Sequence, residues 1–364
     1  MHKSSPARRS AISGLGLLLL LSNLSFLPTA HAAVGIQQPG MTLSHPYAHG
    51  MYLIITGSGS ALVDAERGGA SAAVVVDGTV LQFDLGRMAL ENLERAGLKP
   101  TDIDYLFFTH HHFDHIASYG YYLVSTWISG RLAPVHVFGP AGTVSMTEGA
   151  YKLHESDMRF IRSRLSGWKQ EMPGKISQQS PYVVEDTDEG VVLQAEKFKV
   201  TALRTHHYAP GSGEVSLAYR VDSSYGSVVV SGDTGPFQGM VPFASGADVL
   251  VHETQAPDVG MIKKGNMAHS ANVDWRAHDA SGHTWPAALG EIAREAKVKM
   301  VVPYHLPPYT SIGPAVDTAA LYTGPAPGFP IWGEYIASIK NHFNGSVVLA
   351  QDAMVIRVDK DSGN

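Results

Sequence analysis

The segment that most restricts how this 364-residue chain can fold is a dense group of histidines and an aspartate at residues 109–115. It reads Thr-His-His-His-Phe-Asp-His and follows an apolar run that is predicted to be a buried strand. Alternate side chains of an extended segment share a face, so His110 and His112 are expected to point the same way. If His110 and His112 bind one metal ion, Asp114 and His115 lie in the turn that follows and can reach a second one. Because imidazole nitrogen and carboxylate oxygen suit zinc, the segment predicts a metal site, although a histidine run can also be a nonspecific surface tract.

Three later positions supply further candidate ligands, each where an apolar run ends. In the first, Arg-Thr-His-His-Tyr-Ala-Pro at 204–210, two histidines compete for one place. Counting back from the proline favours His207, and His206 remains an alternative. Asp233 follows a run of small and β-branched residues in Ser-Gly-Asp-Thr, and His305 stands in Pro-Tyr-His-Leu-Pro. The order of these residues along the chain is more specific than any one of them.

The pattern of elements around these residues favours a layered α/β sandwich, because strands and then helices recur in two successive halves. The predicted helices are Met88–Ala96, Met146–Leu165 and Pro286–Ala296. No linker divides residues 33–364 into independent domains. The predicted strands are Tyr52–Thr56, Ala72–Val76, Leu81–Phe83, Tyr105–Phe108, strands within Val191–Leu203, Ser216–Val221, Ser227–Ser231, Val249–His252 and Met300–Val302.

The histidine segment resembles the His-x-His-x-Asp-His signature of the metallo-β-lactamase superfamily, and Phe83–Gly86 resembles the upstream Asp-x-Gly turn of that family. The resemblance implies a four-layer αββα sandwich that holds two divalent metal ions, most often zinc, with manganese or iron as possible substitutes. Such ions lower the pKa of a shared water and polarise the bond that it attacks. Asp114 is then expected to be essential for catalysis. The implied ligands are His110, His112, His207 and Asp233 for one ion, and Asp114, His115, Asp233 and His305 for the other.

Other segments resemble the branch of this superfamily that contains tRNase Z and bacterial arylsulfatases. Thr56–Ser60 is similar to its opening Gly-x-Gly turn, and Val251–Thr254 to its His-Glu-Ala-Thr element. His283, just ahead of a predicted helix, is similar to its late histidine. The resemblance implies that His283, paired with Glu253, protonates the leaving group or holds anionic oxygens of the substrate. The alternative is that His283 begins the helix and Glu253 is a structural hydrogen-bond partner.

One departure from tRNase Z concerns its basic, Gly-rich arm, which grips tRNA. The short turn Val221–Gly226 leaves no room for such an arm. Extra length lies instead at about 143–190, an expected insertion whose acidic end, Glu185–Glu189, would repel RNA. No basic stripe is present, so a nucleic-acid partner is not expected. Four histidines lack a surrounding motif and are interpreted as surface or structural residues: His136, His154, His269 and His278.

The N-terminus has the layout of a signal peptide. Three basic residues precede the apolar run Leu15–Leu21, and an Ala-x-Ala site ends at Ala32. Cleavage there predicts a periplasmic or secreted protein. An uncleaved membrane anchor is the alternative, and the choice between Sec and Tat export stays open. Removing residues 1–32 takes away three of the 27 basic residues and none of the 33 acidic ones, which changes the formal charge from −6 to −9.

The favoured hypothesis is an exported hydrolase of a small phosphodiester or sulfate ester. The chain has no cysteine, so a thiolate nucleophile is excluded. A lactone or a β-lactam is a further substrate class for the same scaffold. A tRNase Z-type endoribonuclease and a periplasmic metal-binding protein without activity are the alternatives. A homodimer is expected by resemblance alone.

Overall fold

The computed structural model describes residues 46–131, 133–167, 182–255, 282–306 and 331–360. Its strands form two seven-stranded sheets. The first contains β1 (Met51–Gly57), β2 (Ser71–Val76), β3 (Thr79–Phe83), β4 (Ile103–Phe107), β5 (Val135–Gly139), β6 (Tyr182–Asp186) and β14 (Met354–Val358). The second contains β7 (Gly190–Gln194), β8 (Phe198–Arg204), β9 (Leu217–Ser223), β10 (Ser227–Val230), β11 (Val249–Glu253), β12 (Met300–Tyr304) and β13 (Ser346–Val347). The spatial orders are β14-β1-β2-β3-β4-β5-β6 and β13-β12-β11-β10-β9-β8-β7.

Helices cover the outer faces of both sheets. Within the described ranges, none is both long and apolar enough to cross a membrane. The helices are α1 (Ala89–Arg95), α2 (Phe113–Ile116), α3 (Tyr119–Ile128), α4 (Thr143–Leu153), α5 (Glu155–Gly167), α6 (Met240–Phe243), α7 (Pro286–Ala296) and α8 (Ile331–Lys340), with a 3₁₀ turn at Pro100–Asp102.

Three hydrophobic clusters divide the molecule into four layers. The central cluster joins the facing sides of the two sheets and includes Phe107 of β4 and Tyr219 of β9, whose ring centroids are 5.3 Å apart. A second cluster packs α6 and α7 on the second sheet, and a third packs α1 and α3 on the first. Alternation along the strands explains this division: Val251 of β11 faces the central cluster, and its neighbour Leu250 faces the helices. The predicted αββα sandwich is confirmed.

Strand direction brings the candidate ligands to one edge. Strands β3, β4 and β5 run parallel, as do β10, β11 and β12. The carboxyl ends of parallel strands meet at the same edge of a sheet, which is where α/β folds place their sites. The histidine segment follows β4, and His305 follows β12. The loops at this edge therefore carry the polar residues that the sequence singled out.

The predicted helix Met146–Leu165 is wrong in detail, because two helices, α4 and α5, occupy this region and meet at His154. The break lets Met158 of α5, which is 4% exposed, pack on Val124 and Trp127 of α3. The end of the same region joins both sheets, since β6 pairs with β5 and β7 pairs with β8. The segment at about 143–190 thus supplies the edge strand β6 of the first sheet, and the edge strand β7 of the second sheet begins where the segment ends.

Candidate metal centre

Four of the predicted ligands lie together at the open side of the strand ends. His110, His112, His207 and Asp233 each offer a donor atom, and these atoms are within 4.8 Å of one another. His110 Nε2 is 3.8 Å from Asp233 Oδ2, and His207 Nε2 is 3.9 Å from the same oxygen. His110 and Asp233 are buried, whereas His112 is exposed. The group is therefore open to solvent on the His112 side.

Three more predicted ligands form an adjoining, fully buried group. Donor atoms of Asp114, His115 and His305 are also within 4.8 Å of one another. Asp233 contacts this group as well, because its Oδ1 is 3.2 Å from His115 Nε2 and its Oδ2 is 3.3 Å from His305 Nε2. Asp233 thus lies between the two groups, in the position of a bridging carboxylate.

The two neighbouring histidines after β8 have different surroundings. His207 Nδ1 donates to Gly282 O, 3.0 Å away, and its Nε2 turns toward the ligand group, 3.1 Å from His112 Nδ1. The ring of His206 instead stacks on Phe237, with ring centroids 4.4 Å apart. The structure thus brings His207, and not His206, to the group.

Two residues that support the ligands were not predicted from the sequence to be functional. Asp84 directly follows β3, and its Oδ2 is 2.8 Å from His115 Nδ1 and 2.8 Å from Thr109 Oγ1. Thr109 Oγ1 lies in turn 3.0 Å from His110 Nδ1. Both contacts fix the orientation of a ring whose other nitrogen faces the ligand group. Asp84 adopts a left-handed backbone (φ 56°), as strained residues at functional sites often do.

A glycine is required next to the central carboxylate. Gly232 has φ 57°, and a Cβ built there would lie 2.6 Å from Thr109 Cβ. This close approach of β10 to the histidine segment brings Asp233 beside His110. The Gly-Asp pair that marked a turn in the sequence therefore also sets the distance between the two halves of the site.

The pair of His283 and Glu253 lies beside these groups. His283 Nδ1 is 3.1 Å from Glu253 Oε1, which also accepts from the backbone of Thr234 and Thr284. Burial alone would lower the pKa of His283, but Glu253 and then Asp233 raise it to about 9. His283 also groups with Asp233 and His305 as a set that could hold a metal ion, so its position suits either role.

Burial and neighbouring charges divide the histidines into two kinds. Burial, reinforced by surrounding histidines, lowers the pKa of His110 well below its usual value. A neutral imidazole is the form that binds a metal. For His115, burial is outweighed by Asp233 and Asp84, which raise its pKa well above the usual value. His305 and His115 likewise hold the pKa of Asp233 far below its ordinary range despite burial.

The unpaired atoms of the two groups fit metal ions. Three deeply buried atoms that face the ligand groups make no hydrogen bond within the described chain: Nε2 of His110, Nε2 of His115 and Oδ1 of Asp233. Leaving a buried polar atom unpaired costs on the order of 1–3 kcal/mol. Coordination removes this cost, and the donors are the nitrogens and oxygens that zinc accepts.

Two of the four histidines without a motif are among the described residues, and both lie away from the ligand groups. The ring of His136 lies 5.8 Å from that of Tyr105, and His154 pairs with Asp157 at 3.3 Å. Neither joins a ligand group among the described residues. His269 and His278 fall outside those residues.

The model of the Metallo-beta-lactamase superfamily matches residues 51–305, which include every predicted ligand. The chain belongs to the metallo-β-lactamase superfamily. Its place there makes the two groups a candidate active site, and the protein a hydrolase that depends on metal. The predicted superfamily and its tRNase Z-containing branch are confirmed by this match and by the relatives below.

Curated and solved relatives agree with the superfamily. Ribonuclease Z of Mycolicibacterium gilvum is 30% identical over 201 residues, which are 54% of this chain and 66% of that enzyme. The metallo-β-lactamase fold protein YhfI of Bacillus subtilis has a TM-score of 0.59 and 18% identity, over 84% of this chain and 98% of its own. Human short-form tRNase Z has a TM-score of 0.56 and 19% identity, over 84% and 99%. These two structures show the fold.

Proposed function

We propose that this protein is an exported hydrolase with two metal ions that cleaves a small phosphodiester or sulfate ester. The observation that carries the proposal is the position of the His283–Glu253 pair, whose imidazole lies 4.0 Å from Asp233 Oδ2 at the junction of both ligand groups. A metal-binding protein without activity needs the ligands but has no use for an adjacent, carboxylate-held histidine. The pair therefore favours a catalyst over a binding protein.

The donor set supports two ions, with zinc as the first choice. Seven side chains provide only nitrogen and oxygen donors, and Asp233 is within reach of both groups. When bound, two divalent ions lower the pKa of a water molecule, polarise the ester and clamp its anionic oxygens. The set comprises His110, His112, Asp114, His115, His207, Asp233 and His305.

His283, oriented by Glu253, would protonate or hydrogen-bond the leaving group. Glu253 is fully buried and accepts three backbone N–H groups, from Thr234, Gln255 and Thr284, so its carboxylate is fixed. It orients His283, whose side chain is 21% exposed and so can reach a substrate. A protonated imidazole held in this way can donate a proton to the departing oxygen or hydrogen-bond an anionic oxygen.

Export is a separate part of the proposal, and it rests on the sequence of residues 1–32, which lie outside the described residues. The layout of basic, apolar and small residues supports cleavage after Ala32. Expression of the full chain with a C-terminal tag, followed by fractionation and N-terminal sequencing, tests it. A periplasmic product that begins at Ala33 supports export, and a full-length cytoplasmic product contradicts it.

The decisive experiment measures metal content and hydrolysis together. The purified mature protein is assayed with bis-p-nitrophenyl phosphate and p-nitrophenyl sulfate, with and without chelator, beside a His110→Ala variant. About two metals per chain and chelator-sensitive release from one ester would support the proposal and select the ester. Two metals with neither ester cleaved would direct the search to lactones and β-lactams, and protein that binds no metal would overturn the proposal.

Ribonuclease activity is the second candidate, because a ribonuclease Z is 30% identical to the chain over 201 residues. The site chemistry suits an RNA phosphodiester equally well. Two features weigh against it. The loop that joins β9 and β10 has only three residues, and the cation of Arg204 is already paired with Asp188 of the acidic run. Cleavage of a precursor tRNA at nanomolar enzyme, lost in His110→Ala, would favour this candidate.

A further inference from the structure

A cavity of about 480 Å³ adjoins the candidate metal centre, and its lining includes neither the predicted metal ligands nor the His283–Glu253 pair. The loop between β8 and β9, residues 205–216, forms its walls. Hydrogen bonds close the base of this loop, since Thr205 N donates to Ser216 O at 2.9 Å and Thr205 Oγ1 donates to Asp233 O at 3.0 Å. These hydrogen bonds hold the loop that forms the cavity against Asp233, just after the end of β10.

Tyr208 lies where the cavity meets the ligand histidines. Its ring lines the cavity, and its centroid lies 4.9 Å from that of His207, 5.2 Å from that of His112 and 6.0 Å from that of His110. An ester held at the metal centre would therefore have the Tyr208 ring beside one of its substituents. A second aromatic ring packs favourably against such a surface, either offset-stacked or edge-on.

The remaining lining favours an uncharged group. Ala209, Pro210 and Val215 offer apolar surface. The cation of Arg204 is paired with Asp188, while Glu214 adds a negative charge to the wall. A further phosphate, as in a polynucleotide, would meet this carboxylate, and the Arg204 cation of the described lining is already paired.

We propose that Tyr208 and the loop 205–216 form a subsite for an uncharged aromatic group of the substrate. The proposal rests on the proposed function and makes it narrower: the natural substrate is an aryl ester rather than a nucleic acid or an alkyl ester. Tyr208 is a specificity-determining residue, and Glu214 excludes anionic substituents.

Binding of two non-hydrolysable ligands tests the subsite independently of turnover. Methylphosphonate and phenylphosphonate share the anionic head and differ only in the group that would enter the cavity. Titration calorimetry on the zinc-loaded protein should give an affinity about tenfold higher for phenylphosphonate. Tyr208→Ala should reduce this preference to about twofold or less, while Tyr208→Phe and Tyr121→Ala, an exposed tyrosine on the surface of α3, should keep it.

Glu214→Gln tests the charge of the wall without removing a packed side chain. The wild type should bind 4-carboxyphenylphosphonate more weakly than phenylphosphonate, and the variant should bind both about equally. Equal affinity of the wild type for methylphosphonate and phenylphosphonate, or a preference unchanged in Tyr208→Ala, would overturn the subsite.

Measurements on the same protein preparation distinguish failure of the proposed subsite from failure of the proposed reaction. A Tyr208-dependent preference in protein that cleaves neither p-nitrophenyl ester would retain the subsite and overturn the reaction. Ester cleavage without any preference for the phenyl group would retain the reaction and overturn the subsite.

Discussion

Asp84 and His115 are joined by a hydrogen bond of 2.8 Å between Oδ2 and Nδ1, and both side chains are buried. The bond turns the Nε2 atom of His115 toward Asp114 and Asp233, at 3.6 and 3.2 Å. A ring held by a carboxylate in this way cannot rotate out of the ligand group, and it is a more basic ligand.

Replacing Asp84 by Asn should therefore weaken metal binding without removing any ligand. An amide keeps the size of the side chain but loses the charge that supports His115, so we expect affinity for the ion of the buried group, which contains His115, to fall by about 10- to 100-fold. Competition with a chromophoric chelator measures this affinity. Asp186→Asn, which alters the backbone hydrogen bonds at the start of α4, is the control and should bind zinc like the wild type. Unchanged zinc affinity in Asp84→Asn would remove the supporting role of Asp84.

Replacing Asp114 or His283 by Ala should slow turnover in both cases but change the metal content only in the first. Asp114→Ala removes a donor of the buried group, so metal content should fall and turnover should be lost. His283→Ala should retain about two metals and slow turnover by about 10²- to 10⁴-fold for an alkoxide leaving group. The loss should be smaller for p-nitrophenolate, which needs no proton to depart.

Parallel metal analysis and steady-state kinetics with both leaving groups distinguish the two variants. Full activity of His283→Ala would exclude His283 as the acid. Loss of one metal in that variant would instead identify His283 as a ligand, a role that its distance from Asp233 also permits.

The candidate ligands could be predicted from the sequence because each follows an apolar run, and chain order alone relates them to the superfamily. Counting back from the proline favours His207, but the sequence can neither exclude His206 nor reveal the role of Asp84. The exclusion of His206 depends on Phe237, which stacks on His206 from a distant position in the sequence. The role of Asp84 depends on β3 and β4 being neighbours in the sheet.

Some elements of the fold were missed for a related reason. Helix α3 contains buried residues on most of its circumference, so its sequence lacks the polar face of an amphipathic helix. The break between α4 and α5 depends on Met158 reaching Trp127 of α3, a contact that the local pattern does not contain. Helical periodicity identifies a helix most clearly where one face meets solvent.

The turn between β2 and β3 should contribute a pH-dependent part of the stability. Asp77 accepts from Gly50 N at 2.9 Å and from Lys197 Nζ at 3.0 Å. The backbone donor first, and then Lys197, lower the pKa of Asp77 from 3.8 to about 2. A carboxyl with a depressed pKa in the folded state contributes stability above its unfolded value, and the contribution is lost as the pH falls through the folded value.

Asp77→Asn should accordingly be less stable than the wild type at pH 7, and the difference should shrink between about pH 4 and pH 2. Urea unfolding across this range measures it, and Asn suits the positive φ of 46°. Lys197→Met keeps the backbone donor, so it should retain most of the pH dependence. A stability difference that is constant from pH 7 to pH 2 would contradict the assignment.

Removing the metal ions should destabilise the folded protein as well as inactivate it. Without them, buried donors of His110, His115 and Asp233 remain unpaired, and ions that bind only the folded state add stability by mass action. At free zinc about 100 times above the dissociation constant, one site contributes about 2.7 kcal/mol. The Tm should therefore fall on chelation and rise with the concentration of free zinc.

Lys197→Met should keep the full dependence of the Tm on zinc, and His110→Ala should lose much of it, because only the latter alters a ligand. A Tm that is independent of zinc, in protein shown by metal analysis to gain and lose the ions, would mean that the ligand groups are equally well satisfied without them.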